Sequence, residues 1–166
     1  MSRMKGWLRP RDGREELRMN KFDTITTIQT RLGDAIVSVT RKSDQRIYIN
    51  ILPHILEDAS RLMLEKFQAR LQIATGVDTS KGFEVMYHWA LDQDGVIITL
   101  RVVVDHDAPE LKSIAPWYPA AEWIEREIWE LLGIRFKGHP DLRHLLLADD
   151  WPQGDYPMRR NHEVSP

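Results

Sequence analysis

Phe83-Glu84-Val85-Met86-Tyr87-His88-Trp89-Ala90-Leu91-Asp92-Gln93-Asp94-Gly95-Val96-Ile97-Ile98-Thr99-Leu100-Arg101-Val102-Val103-Val104 is the stretch that decides the fold. Phe83, Val85, Tyr87, Trp89 and Leu91 alternate with Glu84, Met86, His88 and Ala90. Side chains of a strand point to opposite faces in turn, so this alternation predicts a strand with one buried face. Asp92-Gln93-Asp94-Gly95 carries turn chemistry, and Val96, Ile98, Leu100, Val102 and Val104 return with the same period. The two runs therefore form a β-hairpin.

Working toward the N-terminus, Pro53 opens a segment whose Leu56, Met63, Phe67, Leu71 and Ala74 share a helical stripe. The spacing predicts one long helix to about Thr75, stopped by Gly76. Ile47, Ile49 and Ile51 alternate with Tyr48 and Asn50, a half-buried strand. Ser43-Asp44-Gln45 turns it back onto a short strand over 34–41, and residues 19–32 read as a helix with Phe22, Ile25, Ile28 and Leu32 on one face. Toward the C-terminus, a short extended piece is expected around Lys112-Ser113-Ile114. This order predicts an α+β fold: two layers, a mostly antiparallel sheet with helices on one face, then a further helix and an irregular C-terminal tail. Parallel neighbours would need helical crossovers. The domain organisation expected is a basic, flexible extension over 1–18, an α/β domain over 19–134 and a docking tail over 135–166.

The further helix is bracketed by Pro119, suited to a first turn, and Gly133, suited to a left-handed stop. At about 100° per residue, Ile124, Ile128, Leu131 and Leu132 share one arc, and Glu125 falls inside it. A carboxylate on an apolar face needs a partner, and Arg135, Arg143 and Arg159 are the candidates. Trp123 sits on the polar face among Glu122, Glu127 and Glu130. Arg126 is spaced to bridge Glu122 and Glu130, each exposed pair contributing a few tenths of a kcal/mol. Spacing alone leaves two readings open: a solvated helix with one awkward glutamate, or a partner-facing helix with Trp123 as its aromatic anchor.

Composition bounds the function. With 166 residues there is enough chain for one domain with a real core. A net charge of −2 gives no reason to expect nucleic-acid binding. The absence of cysteine excludes disulfides, zinc–thiolate sites and cysteine-ligated iron–sulfur clusters from this chain, and it suits a reducing compartment. No segment approaches the roughly 20 apolar residues of a membrane-spanning helix. Residues 1–18 hold six Lys/Arg against three acids and lack the apolar run of a secretory signal.

The run Glu125-Arg126-Glu127-Ile128-Trp129-Glu130-Leu131-Leu132-Gly133-Ile134-Arg135-Phe136-Lys137-Gly138-His139-Pro140-Asp141-Leu142-Arg143 resembles the signature of the 30 kDa subunit family of complex I, the NADH-quinone oxidoreductase. His144 stands where the family carries a second Arg. Asp150-Trp151-Pro152-Gln153-Gly154-Asp155-Tyr156-Pro157-Met158-Arg159-Arg160 resembles the family's second block, with Met158 for Leu, Arg160 for Lys, Asn161 for Asp and His162 for Phe. The same family supplies the small subunit of energy-converting nickel-iron hydrogenases, and the Asp-Trp-Pro-x-Gly block leans toward that branch.

The resemblance implies a non-catalytic subunit on the peripheral arm of a complex-I-like membrane oxidoreductase, at the cytoplasmic face. It implies a partner related to the large 49 kDa or nickel-iron hydrogenase subunit, with iron–sulfur subunits beside it. This chain would bind no cofactor of its own; iron–sulfur clusters, with nickel-iron or flavin, would sit in the partners. Membrane contact would come only through the complex. The expected docking residues are Trp123, Glu125, Arg126, Glu127, Gly133, Ile134, Gly138, His139, Pro140, Asp141, Leu142 and Arg143, with Tyr156, Pro157 and Arg159 of the tail as a clasp. The rival reading is a small metal-dependent enzyme using His106, Asp107, His139, Asp141 and His144. Their spacing matches no zinc motif, and Pro140 forbids a regular helix through the second group. His139 reads instead as a hydrogen-bonding turn residue, and His88 as structural.

Overall fold

Strands β4 (Gly82–Leu91) and β5 (Val96–Val104) pair antiparallel from Phe83 opposite Val104 to Leu91 opposite Val96. Phe83, Val85, Tyr87, Trp89 and Leu91 turn inward and are buried, as are Val96, Ile98, Leu100, Val102 and Val104. A computed structural model describes residues 21–162, so the extension expected over 1–18 lies outside the described residues.

Helix α1 (Lys21–Leu32) leads to β1 (Ile36–Ser43), which turns at Asp44-Gln45 into β2 (Arg46–Ile51). Strand β2 then pairs with β5 in parallel, Ile47 opposite Ile98 and Ile49 opposite Leu100. The crossover that permits this runs through α2 (Leu56–Arg61) and then the hairpin of β3 (Arg70–Thr79) with β4. With β3 on the far side, the strand order is β1-β2-β5-β4-β3. The sheet is mostly antiparallel with one parallel step, as α+β layering predicts.

The long helix expected to reach Thr75 does not form. Helix α2 widens into a π-helical turn over Leu62–Lys66 and ends at Phe67; Gln68 takes a left-handed φ of 50°, and the Ala69 amide closes onto the Met63 carbonyl at 3.0 Å. Leu71 and Ala74 belong to β3, opposite Trp89 and Tyr87. Their helical spacing of three has a different cause. A β-bulge between Leu71 and Ile73 inserts an extra residue, so two inward side chains fall three apart rather than two.

Gly76, expected as the stop of that helix, lies in β3 opposite Val85, beneath α3 (Glu122–Leu132). A Cβ there would meet Leu132 Cδ1 at 2.6 Å and Ile128 Cγ2 at 3.0 Å. Its missing side chain lets α3 lie against the sheet. A second, two-stranded sheet joins β6 (Glu110–Lys112) to β7 (Arg135–Lys137) in parallel, burying Leu111 and Phe136. β7 falls where the tail was expected to be irregular. Three residues are too few for a period to show, and their partner lies far back in the chain.

Candidate functional site

Pro119 begins a short 3₁₀ turn that runs into α3. Gly133 ends the helix at φ 77°, its amide bonded to the Trp129 carbonyl at 2.7 Å. Glu125 is fully buried on the arc facing the sheet. Its partners are not arginines. Tyr87 donates its hydroxyl to Oε1 at 2.9 Å, the Ile114 amide donates to the same oxygen at 3.0 Å, and the Ser113 hydroxyl donates to Oε2. The elements packed against this arc bring hydroxyls and an amide, not cations. Burial pushes the Glu125 carboxyl above its usual range against the pull of these hydrogen bonds. The same burial, with Glu125 beside it, pushes the Tyr87 phenol well above its usual value.

Arg126 and Glu130 overturn the expected solvated ladder. Both are buried. Arg126 donates from Nε to the Arg143 carbonyl at 3.0 Å and from a terminal nitrogen to the His144 carbonyl at 2.6 Å, with Asp141 at 3.8 Å. Glu130 accepts the amides of Leu145, Leu146 and Leu147 at 2.9, 2.8 and 3.2 Å. Burial pushes Glu130 up, but these three amides and His144 outweigh it and hold the carboxyl below its usual range. Segment 141–147 lies outside every strand and helix, so its backbone groups need side-chain partners. The helix supplies both kinds.

The His-Pro-Asp turn is fixed the same way. His139 Nε2 lies 2.9 Å from the Glu122 carbonyl, and the Asp141 amide donates to His139 Nδ1 at 3.1 Å. A carbonyl only accepts and an amide N–H only donates, so Nε2 donates to Glu122 and Nδ1 accepts from Asp141. Arg143 Nε donates to Asp141 at 2.8 Å. Ile134 is fully buried, whereas Gly138, Pro140 and Arg143 are exposed.

The tail folds over the end of α3. The Met158 amide donates to the Leu131 carbonyl at 3.0 Å, and Arg159 Nε donates to the Leu132 carbonyl at 2.8 Å. A cation there complements the negative end of the helix dipole. The Arg159 guanidinium lies over Tyr156 at 4.4 Å and over Phe83 at 5.1 Å. A Cβ on Gly133 would come within 2.5 Å of both Tyr156 and Arg159, so Gly133 serves the stop and the tail together. The Arg160 amide reaches Asp78 at 3.0 Å.

Three apolar side chains remain uncovered around these straps: Trp123 at 67% exposed, Leu146 at 64% and Met158 at 63%. Glu127 is exposed beside Trp123. A groove of about 650 Å³ opens where α3 ends, between residues 107–110 and 152–156, with Trp129, Gly133, Leu142 and Tyr156 in its lining. Trp129, Glu130 and His144 were not among the expected docking residues. His144 lies with its ring 5.4 Å from that of Trp129 and its Nδ1 3.5 Å from Glu130. The sequence carried one signal for it, the histidine in place of arginine beside the His-Pro-Asp turn.

The residues of the metal reading do not gather. His106 Nε2 lies 2.8 Å from Asp78 and its ring meets Phe83 edge-on, while His139 and His144 are held against α3. Among the described residues no group of three His, Asp or Glu side chains is arranged to hold a metal ion. None of the described helices is long and apolar enough to cross a membrane.

The chain is 34% identical over 125 residues to a subunit of the F(420)H(2) dehydrogenase of Methanosarcina mazei, covering 71% of this chain and 78% of that one. It is 30% identical over 142 residues to hydrogenase-4 component G of Escherichia coli, covering 82% of this chain but spanning only 25% of the relative. Its fold matches a chain of the membrane-bound sulfane sulfur reductase, an archaeal respiratory membrane complex, with a TM-score of 0.72 at 21% identity, covering 86% of this chain and 85% of that one. Residues 49–166, which hold α3, its straps and most of the sheet, match the family model described as respiratory-chain NADH dehydrogenase, 30 Kd subunit, and the chain belongs to that family.

Proposed function

We propose that this chain is a non-catalytic subunit of the peripheral arm of a complex-I-like membrane oxidoreductase, and that it docks and positions the large electron-transfer subunit. Family membership supports the class of complex. The observation that carries the docking role is Trp123: a large aromatic side chain 67% exposed on a helix whose buried charges, Glu125, Arg126 and Glu130, are all bonded internally. An uncovered tryptophan on a rigid helix is the kind of residue that dominates protein interfaces.

In this reading Glu125, Arg126, Gly133, Ile134, His139, Asp141, Tyr156, Pro157 and Arg159 act from within. They shape the surface by holding segments 139–147 and 156–162 on α3. Trp123, Glu127, Gly138, Pro140, Leu142 and Arg143 meet the partner. Residues 135–166 form the docking tail, and the architectural role is to keep partner cofactors at fixed separations. Iron–sulfur clusters, with nickel-iron or flavin, sit in those partners, and the assembly lies on the cytoplasmic face of the membrane.

Affinity purification of the full chain from native membranes, with mass spectrometry of what accompanies it, tests the reading. A nickel-containing large subunit with antiporter-like membrane subunits identifies the hydrogenase branch. Flavin- and NADH-binding subunits identify a respiratory dehydrogenase. A chain that purifies alone contradicts the proposal.

A further inference from the structure

We infer that Leu146 is a second apolar anchor beside Trp123, and that the two take a partner surface with apolar sockets and a rim of lysine or arginine. The inference rests on the docking reading above. It adds an anchor and names the chemistry of the surface that receives it.

Trp123, Arg126 and Glu130 lie three and seven residues apart, so they share one stripe of α3. Segment 139–147 runs lengthwise beside that stripe. His139 bonds the Glu122 carbonyl, residues 143 and 144 bond Arg126, and residues 145–147 bond Glu130. Arg126 and Glu130 are buried, whereas Trp123 on the same stripe stays open. Seven residues of helix span about 10 Å, so the backbone of Leu146 is held about two turns along α3 from Trp123. The Leu146 amide donates to Glu130 at 2.8 Å, yet the residue is 64% exposed. A leucine left in water on a backbone fixed by a buried carboxylate has little freedom left to lose when a partner arrives.

Charge around the two anchors selects the partner. Glu127, Asp149 and Asp150 are exposed and Glu122 is half-buried. None of these carboxylates has an ion pair or a side-chain hydrogen bond among the described residues. Arg143 is the exposed cation of the segment, and Asp141 already holds it at 2.8 Å; Asp149 and Glu122 act on it only at longer range. Buried Arg126 and Glu130 offset each other. The rim is therefore net negative and open to water. Lysine or arginine on the partner gains from these carboxylates, and an acidic rim would meet like charge.

The test uses the full chain, tagged and purified in its native complex, with retention of the large subunit as the readout. Leu146→Ala keeps the amide on Glu130, so its melting temperature should match wild type while retention falls about tenfold, the scale of a lost interface anchor. Asp149→Lys with Asp150→Lys alters only exposed residues and should also lower retention about tenfold. Raising the salt concentration should narrow the gap between that variant and wild type. Full retention in Leu146→Ala beside loss in Trp123→Ala overturns the second anchor and leaves the docking reading standing. A fall in retention that tracks a lowered melting temperature makes Leu146 a structural residue and overturns the inference as well. Full retention with Asp149→Lys and Asp150→Lys overturns the basic rim. Full retention in Trp123→Ala and Leu146→Ala alike removes the docking reading, and this inference with it.

Discussion

Arg126 and Glu130, one turn apart on α3, do not pair with each other; they hold neighbouring parts of the same segment by opposite chemistry. Arg126 donates to the carbonyls of residues 143 and 144, and Glu130 accepts the amides of residues 145, 146 and 147. The pair therefore turns an irregular piece of chain into a fixed surface. A charged helix face that looks solvated is an internal scaffold.

Glu130→Ala leaves three amides without their acceptor. Where water cannot replace it, each costs on the order of 1–3 kcal/mol. The partly exposed leucines of this segment keep the expected loss of stability to about 2 kcal/mol in total. Denaturant unfolding measures that loss. Hydrogen exchange at residues 145–147 should accelerate far more than exchange in β4 and β5.

Glu130 and Glu125 respond to pH with opposite sign. Glu130 is held below its usual range, so its contribution is present above the unfolded carboxyl value and is lost as pH falls through its folded value. Glu125 is raised, so its contribution is present below the unfolded value and fades as pH rises through its folded value. Glu125→Gln keeps acceptors for Tyr87 and the Ile114 amide without a buried charge. It should raise stability at neutral pH and flatten the fall in stability above the ordinary carboxyl range. Melting temperatures of wild type and Glu125→Gln from acidic to neutral pH check both parts.

Gly133→Ala combines left-handed strain, about 1–2 kcal/mol for a residue with a Cβ, with a collision against Tyr156 and Arg159. The expected result is release of the tail from α3. Limited trypsin digestion should cut after Arg159 and Arg160 much faster than in wild type. Adding Tyr156→Ala removes part of the collision and should recover some of the stability.

Gly76→Val tests the approach of α3 to the sheet. The new side chain meets Leu132 and Ile128 at the first carbon. Overpacking of this kind costs typically about 1–3 kcal/mol. A calorimetric melting temperature equal to wild type would show that α3 shifts freely, contrary to its close packing on β3.

The hairpin of β4 and β5 was legible because strict alternation over long strands has one interpretation. The ends of α3 were legible because proline and glycine stood where helix ends require them. The end of α2 was not: its left-handed stop is Gln68, and the bulge after Leu71 copies a helical interval onto a strand. Glu125 was correctly placed on the inner arc, since periodicity fixes direction. Its partners were not, because Tyr87 and Ser113 reach it only through tertiary packing. Arg126 and Glu130 were misread for a related reason. Spacing on a helix shows which side chains neighbour each other, not which backbone groups elsewhere lack partners.

The most direct measurement compares wild type with Trp123→Ala, each tagged at full length and purified from native membranes. The Trp123 side chain makes no ring contact or hydrogen bond among the described residues, so the variant's stability should stay within about 0.5 kcal/mol of wild type, as for surface substitutions. The docking account predicts that the large subunit is lost, or falls severalfold, from the purified variant. Full recovery of the large subunit with Trp123→Ala would contradict it.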